Sequence, residues 1–163
     1  MIKAFIIINN MGKIRLIRFY NHIKEEEQQK IVRDLYALLC KRTGKSCNII
    51  SVPQSIWGEK GITAVSRTYA TLSFICVFDD NENELFIHSL IQNIVEVLDK
   101  CFENVCELDL VFHSDRVHYV LNEFIQAGLI LNNDTDSIIR VLTEQAQLEK
   151  TDTPAIKQTA INV

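Results

Sequence analysis

Several function classes are excluded by what this chain lacks. Lys and Arg number 17 against 21 Asp and Glu, a net charge of −4. Without a basic excess to displace counterions from phosphates, a dedicated nucleic-acid binder is disfavoured. No apolar run approaches the roughly 20 residues that span a bilayer. No small-residue cleavage site follows "MIKAFIIINN", which reads as a strand rather than a signal peptide. Ile2 rules out N-myristoylation, and no prenylation box is present. These absences predict a cytoplasmic chain, in which the sequon at Asn133 carries no meaning. The 5 cysteines are then expected to be reduced, and an odd count leaves no complete disulfide framework. No internal repeat and no low-complexity segment occurs.

At 163 residues the chain fits one domain, long enough to bury a core without disulfides or metals. Apolar residues make up 47% and charged residues 23%, close to a globular average. Residues Ile2 to Ile8 are β-branched and aromatic, a buried strand. "NNMGK" is a turn and "IRLIRFY" a second strand, making an N-terminal hairpin. "EEEQQKIVRDLYALLCKR" is a helix with Ile31, Leu35, Leu38 and Leu39 on one face. Its acids sit at the positive end, Lys41 and Arg42 at the negative end, and Gly44 stops it. "CNIISV" is a strand, and "PQSIWGEKG" an irregular loop. "ITAVSRTYA" and "TLSFICVFD" are two more strands. "DDNENE" opens a helix, with Asn81 as cap and Glu84 three residues on, running to about Phe102 on a stripe of Ile87, Leu90, Ile91, Ile94, Leu98 and Cys101. A short helix covers roughly Val105 to Phe112. Ser114 caps the next, on a stripe of Val117, Val120, Leu121 and Phe124, and Gly128 stops it. A last helix starts near "DTDS", and residues 151–163 read as a flexible tail. Five strands with few crossover helices predict an α+β domain, an antiparallel sheet flanked by helices.

Catalytic patterns are missing too. "CFENVCELDLVFH" holds two cysteines and a histidine. If Cys101 and Cys106 share a helix they lie about 140° apart and do not converge. Cys106 and His113 are two turns apart, and no second CxxC or HxxxH completes a zinc set. Cys40, Cys47, Cys76, Cys101 and Cys106 therefore read as small packed hydrophobes. "DDNENE" fails as a calcium loop, with Glu84 where Gly is needed and Leu90 where Glu is needed. "MGKIR" lacks the rest of a P-loop, and no G-x-S-x-G surrounds a serine. No cofactor, metal or catalytic residue is expected. A thiol enzyme or ligand-binding domain on a PAS- or profilin-like sheet, using Cys106 or His113, is the alternative.

"LDKCFENVCELDLVFH" closely resembles the signature of the small (sigma) subunits of clathrin-type adaptor complexes. "MIKAFIIINNMGKIRL", "FY" at 19–20, "RTYATLSF" and "IQNIVEVLDK" agree in order and spacing. The resemblance covers residues 1–150. Within the family, "YATL" with Thr71, "LDKCFENVCELDL" and the longer loop at 53–61 suit the branch of the third adaptor complex. It implies a longin-like (SNARE-like) fold with helices on both faces of the sheet. It also implies partners: a delta-type large subunit in direct contact, with beta-type and mu-type subunits in one heterotetramer. The implied setting is cargo selection on Golgi- and endosome-derived vesicles bound for lysosome-like or vacuolar compartments.

The resemblance further implies recognition of the acidic dileucine signal [DE]-x-x-x-L-[LI]. Two apolar slots would be lined by Tyr69, Ala70 and Leu72 on the sheet and by Val95, Asn104, Val105 and Leu110 on the helical side. Arg15 matches the family's basic residue for the acid, and Arg67 is a second candidate. Taken by themselves, Val95, Val105 and Leu110 at helical spacing also read as core, Asn104 as a helix boundary and Arg15 as a solvated strand residue. Thr68 and Ser73 depart from the family pattern, which usually has a basic residue or His and a Tyr. Thr68 would remove a charge near the acid subsite. An exposed ion pair is worth only about 0–1 kcal/mol, against roughly 1.5–3 kcal/mol per buried leucine.

Overall fold

An apolar run with no polar interruption belongs on a strand covered on both faces. The computed structural model, which describes residues 1–41 and 49–152, puts β1 (Ile2–Asn9) in that position. It pairs antiparallel with β2 (Ile14–Phe19) and with β5 (Leu72–Asp79). Beyond β5 come β4 (Ile62–Tyr69) and β3 (Ile49–Val52), giving the order β2-β1-β5-β4-β3, antiparallel throughout. The predicted five-stranded antiparallel sheet is therefore present.

Alternation along the strands sorts side chains to two cores. Ala4, Ile6, Ile8, Ala64, Ile75 and Val77 pack under α1 (Glu25–Lys41), which buries Ile31, Val32 and Leu35. Phe5, Ile7, Leu16, Val65, Leu72, Phe74 and Phe78 pack on the opposite side. There they meet α3 (Glu84–Phe102), α4 (Glu107–Phe112), α5 (Ser114–Phe124) and α6 (Thr135–Asp152). Seven buried apolar side chains of α3, at roughly 1.5–3 kcal/mol each, make it the main cover of this face.

Several local expectations are corrected. Asn83, not Asn81, caps α3: its Oδ1 accepts from Leu85 N at 2.9 Å and Phe86 N at 3.4 Å. The Asn81 N–H is already committed to Asp79 Oδ1 in the preceding turn. The short helix starts at Glu107 rather than Val105 because Glu103 and Asn104 hold φ of 53° and 83°, which break α3. Ser114 is the first residue of α5 and makes no cap; His113 occupies the boundary without a side-chain bond. Gly128 does not stop that helix, which ends at Phe124. Ala127 (φ 49°) and Gly128 (φ 80°) instead turn a small hairpin of β6 (Ile125–Gln126) and β7 (Leu129–Ile130), as two consecutive positive φ values favour. A Cβ on Gly128 would stand 2.5 Å from the Ile2 carbonyl oxygen. The loop at 53–61 holds a one-turn helix, α2 (Gln54–Trp57), whose buried Trp57 stacks on Phe19 at 5.8 Å. The predicted roles of Arg42, Gly44 and Cys47, and those of residues 153–163, lie outside the described residues.

Candidate functional site

The sheet end that carries the β1–β2 and β4–β5 turns brings together residues far apart in the chain. Tyr69 pairs with Leu72 across a two-residue turn. Ala70 takes the left-handed φ of 52° there, so the turn does not need a glycine at Thr71. The Thr71 carbonyl accepts from Asn10 N at 2.9 Å, tying the two turns together. Asn9 is 1% exposed and its side chain makes three hydrogen bonds. Its Oδ1 accepts from Met11 N at 3.0 Å and Lys13 N at 2.8 Å, and its Nδ2 donates to Glu107 Oε1 at 3.0 Å. Gly12 completes this turn at φ 76°, where a Cβ would collide with the Tyr36 ring.

The segment between α3 and α4 closes over the Tyr69 side of the sheet. Val105 N donates to Asp99 Oδ1 at 3.1 Å. Cys106 N donates to Asp109 Oδ2 at 2.9 Å, fixing the first turn of α4. Tyr69, Leu72, Val95, Val105 and Leu110 join one apolar cluster. Leu72, Val95 and Leu110 are buried, at 4%, 5% and 0% exposed, so they form floor rather than open wall. Tyr69 and Val105 are half-buried, and Ala70 and Asn104 are exposed rim. Of the three residues whose helical spacing also reads as plain core, Val95 and Leu110 are buried and Val105 is half-buried.

The two arginines differ. Arg15 forms an ion pair with Glu107 through both Nε and Nη2. Hydrogen bonds from Asn9 and Arg15 hold the Glu107 carboxyl below the usual carboxylate range. Arg67 lies with its guanidinium 5.2 Å from the Tyr69 ring centroid and donates to Gln92 Oε1 at 2.8 Å. Burial raises the Tyr69 hydroxyl's pKa, Arg67 opposes this and Asp99 adds to it. That hydroxyl is buried and has no hydrogen-bond partner among the described residues.

Thr68 and Ser73 sit elsewhere than expected. They are cross-strand partners whose hydroxyls lie 2.9 Å apart. By strand alternation their side chains project to the α1 side, away from Arg67 and Tyr69. The cysteines also need correction. Cys76 is buried, and burial pushes its thiol pKa up. Cys101 is partly buried, but Cys106 and Cys40 are exposed and are not packed hydrophobes. Cys101 and Cys106 do not share a helix, because the backbone breaks at Glu103 and Asn104. Among the described residues no three of His, Cys, Asp and Glu gather as a metal site. No described helix is long and apolar enough to cross a membrane. The sequence reading missed Glu107 and Asn9 as site residues. Glu107 stood inside the signature, but no spacing rule links it to Arg15, 92 positions away.

A five-stranded antiparallel sheet with this helix arrangement defines a longin-like domain, and comparison with known proteins agrees. The clathrin adaptor complex small chain family matches residues 1–149. The chain belongs to that family, whose members are subunits in vesicle-mediated protein transport and not enzymes. Its similarity extends to one branch. It is 50% identical to the AP-3 complex subunit sigma of Dictyostelium discoideum, over 96% of this chain and 92% of that protein. It is 46% identical to the human AP-3 complex subunit sigma-2, over 93% of this chain and 78% of that one. A chain in a homology model of the full-length AP-3 complex in a stretched open conformation superposes with TM-score 0.71, at 30% identity, covering 93% of this chain and 96% of that chain.

Proposed function

We propose that this chain is the sigma subunit of an AP-3-type heterotetramer, held directly by a delta-type large subunit beside beta-type and mu-type subunits. It acts at the cytoplasmic face of Golgi- and endosome-derived vesicles bound for lysosome-like or vacuolar compartments. The sheet end at the β4–β5 turn receives acidic dileucine signals in cargo tails. One observation supports the site: half-buried Tyr69 and Val105 pack against the core to which Leu72, Val95 and Leu110 belong, with Ala70 and Asn104 exposed next to them in the chain, while a cation stands on β2. Three inter-strand steps separate β2 from β4, about 14 Å at roughly 4.8 Å each. Four residues of extended peptide span about 13 Å, so a leucine near Tyr69 and an acid four residues earlier near Arg15 fit one ligand.

The assembly is tested by a tagged pull-down of the chain from its own cells. Two large chains and one medium chain at near-equal stoichiometry are expected. A chain that comes down alone, monodisperse and soluble, would overturn the assignment.

A further inference from the structure

Arg15 is at the right distance for the signal's acid, yet an acid already holds it. Glu107 Oε1 accepts from Arg15 Nε and Nη2 and from Asn9 Nδ2. The donor set is fixed, because Asn9 is 1% exposed and its own oxygen is committed to two backbone N–H groups. The pair is not sealed: the side chains of Arg15 and Glu107 are 22% and 30% exposed.

We propose that Glu107 is a specificity-determining residue, an in-chain carboxylate with which the signal's upstream acid must exchange on Arg15. The chain then reads the two leucines strongly and the acid weakly. This rests on the dileucine reading of the site.

The physical argument is one of competition. Exchange puts one carboxylate on Arg15 in place of another, so the Coulomb gain nearly cancels. A tethered group competes at an effective concentration on the order of millimolar or above, whereas cargo tails arrive from solution. The exchange also leaves the Nδ2 of buried Asn9 without its acceptor unless the incoming carboxylate takes that place too. Arg67 differs in kind: its recorded partners are a neutral amide and a ring face, so it offers no charge to displace. It lies beside Tyr69, too close to the slots for an acid at the end of a four-residue extended span.

Glu107→Gln separates charge from structure, because the amide oxygen can still accept from Asn9 and Arg15. The test uses the assembled complex and two dileucine peptides that differ only in Glu or Gln four residues before the first leucine. In the wild-type complex their affinities should differ less than threefold. With Glu107→Gln the Glu peptide should bind tenfold or more tighter than the Gln peptide, and Arg15→Gln in the same complex should erase that preference. A wild-type complex that already discriminates tenfold overturns the inference, as does Glu107→Gln leaving the ratio unchanged or reversing it. A third peptide with both leucines changed to serine keeps the two readings apart. If it binds as well as the parent, the site reading fails and takes this inference with it. If it does not bind and the ratio is still unmoved, only the inference fails.

Discussion

The two faces of the sheet differ in regularity. The α1 face is a plain core of Ile, Val, Ala and Leu, closed at one side by Trp57. The α3 face carries the larger core and most of the irregular backbone. Ala70, Glu103 and Asn104, three of the four non-glycine residues with positive φ among the described residues, lie at or beside its open end. Among the described residues, the buried hydroxyls without hydrogen-bond partners, those of Tyr20 and Tyr69, pack against this core as well. Strain and unmet hydrogen-bonding capacity are tolerated where surrounding packing enforces them. The α1 face is the more regular of the two.

Substitutions on either side of the sheet would sharpen or break this contrast. Phe74 is fully buried under α3 and meets the Tyr69 ring edge-on at 5.8 Å. Phe74→Ala should cost about 3–5 kcal/mol, read as a lowered denaturation midpoint. A loss below about 1 kcal/mol would mean this face collapses around the cavity and is not a fixed platform. At the other extreme is Thr68→Arg, which restores the family's usual charge at an exposed position on the α1 side. Acidic dileucine peptide affinity should change less than twofold. A tenfold gain would show that side chains at this position reach the acid subsite, contrary to the strand alternation.

How much of this was legible in the sequence follows from the range of each interaction. The unbroken apolar run of β1 and the stripes of α1 and α3 are local patterns, and they predicted the sheet and its covering helices. Helix ends were harder. Asn81 and Asn83 both precede an apolar stripe, and only a hydrogen bond to Leu85 N decides between them. Gly128 looks the same as a helix stop and as a hairpin residue; its contact with Ile2, across the whole domain, decides. The site divided in the same way. The proposed apolar lining rests on the family resemblance, position by position. The Arg15–Glu107 pair joins a strand and a helix start of unrelated sequence, and the facing of Thr68 depends on register that composition does not encode.

The central claim is that the open end of the α3 face reads dileucine signals without carrying the assembly. Val105 tests it most directly. Its side chain is half-buried in the apolar cluster, while its bond to Asp99 is made by the backbone and survives substitution. Peptide binding should be measured on the purified complex containing Val105→Asp. The account predicts a complex of unchanged subunit stoichiometry with dileucine peptide binding abolished. An intact mutant complex that binds the peptide as well as wild type would contradict it.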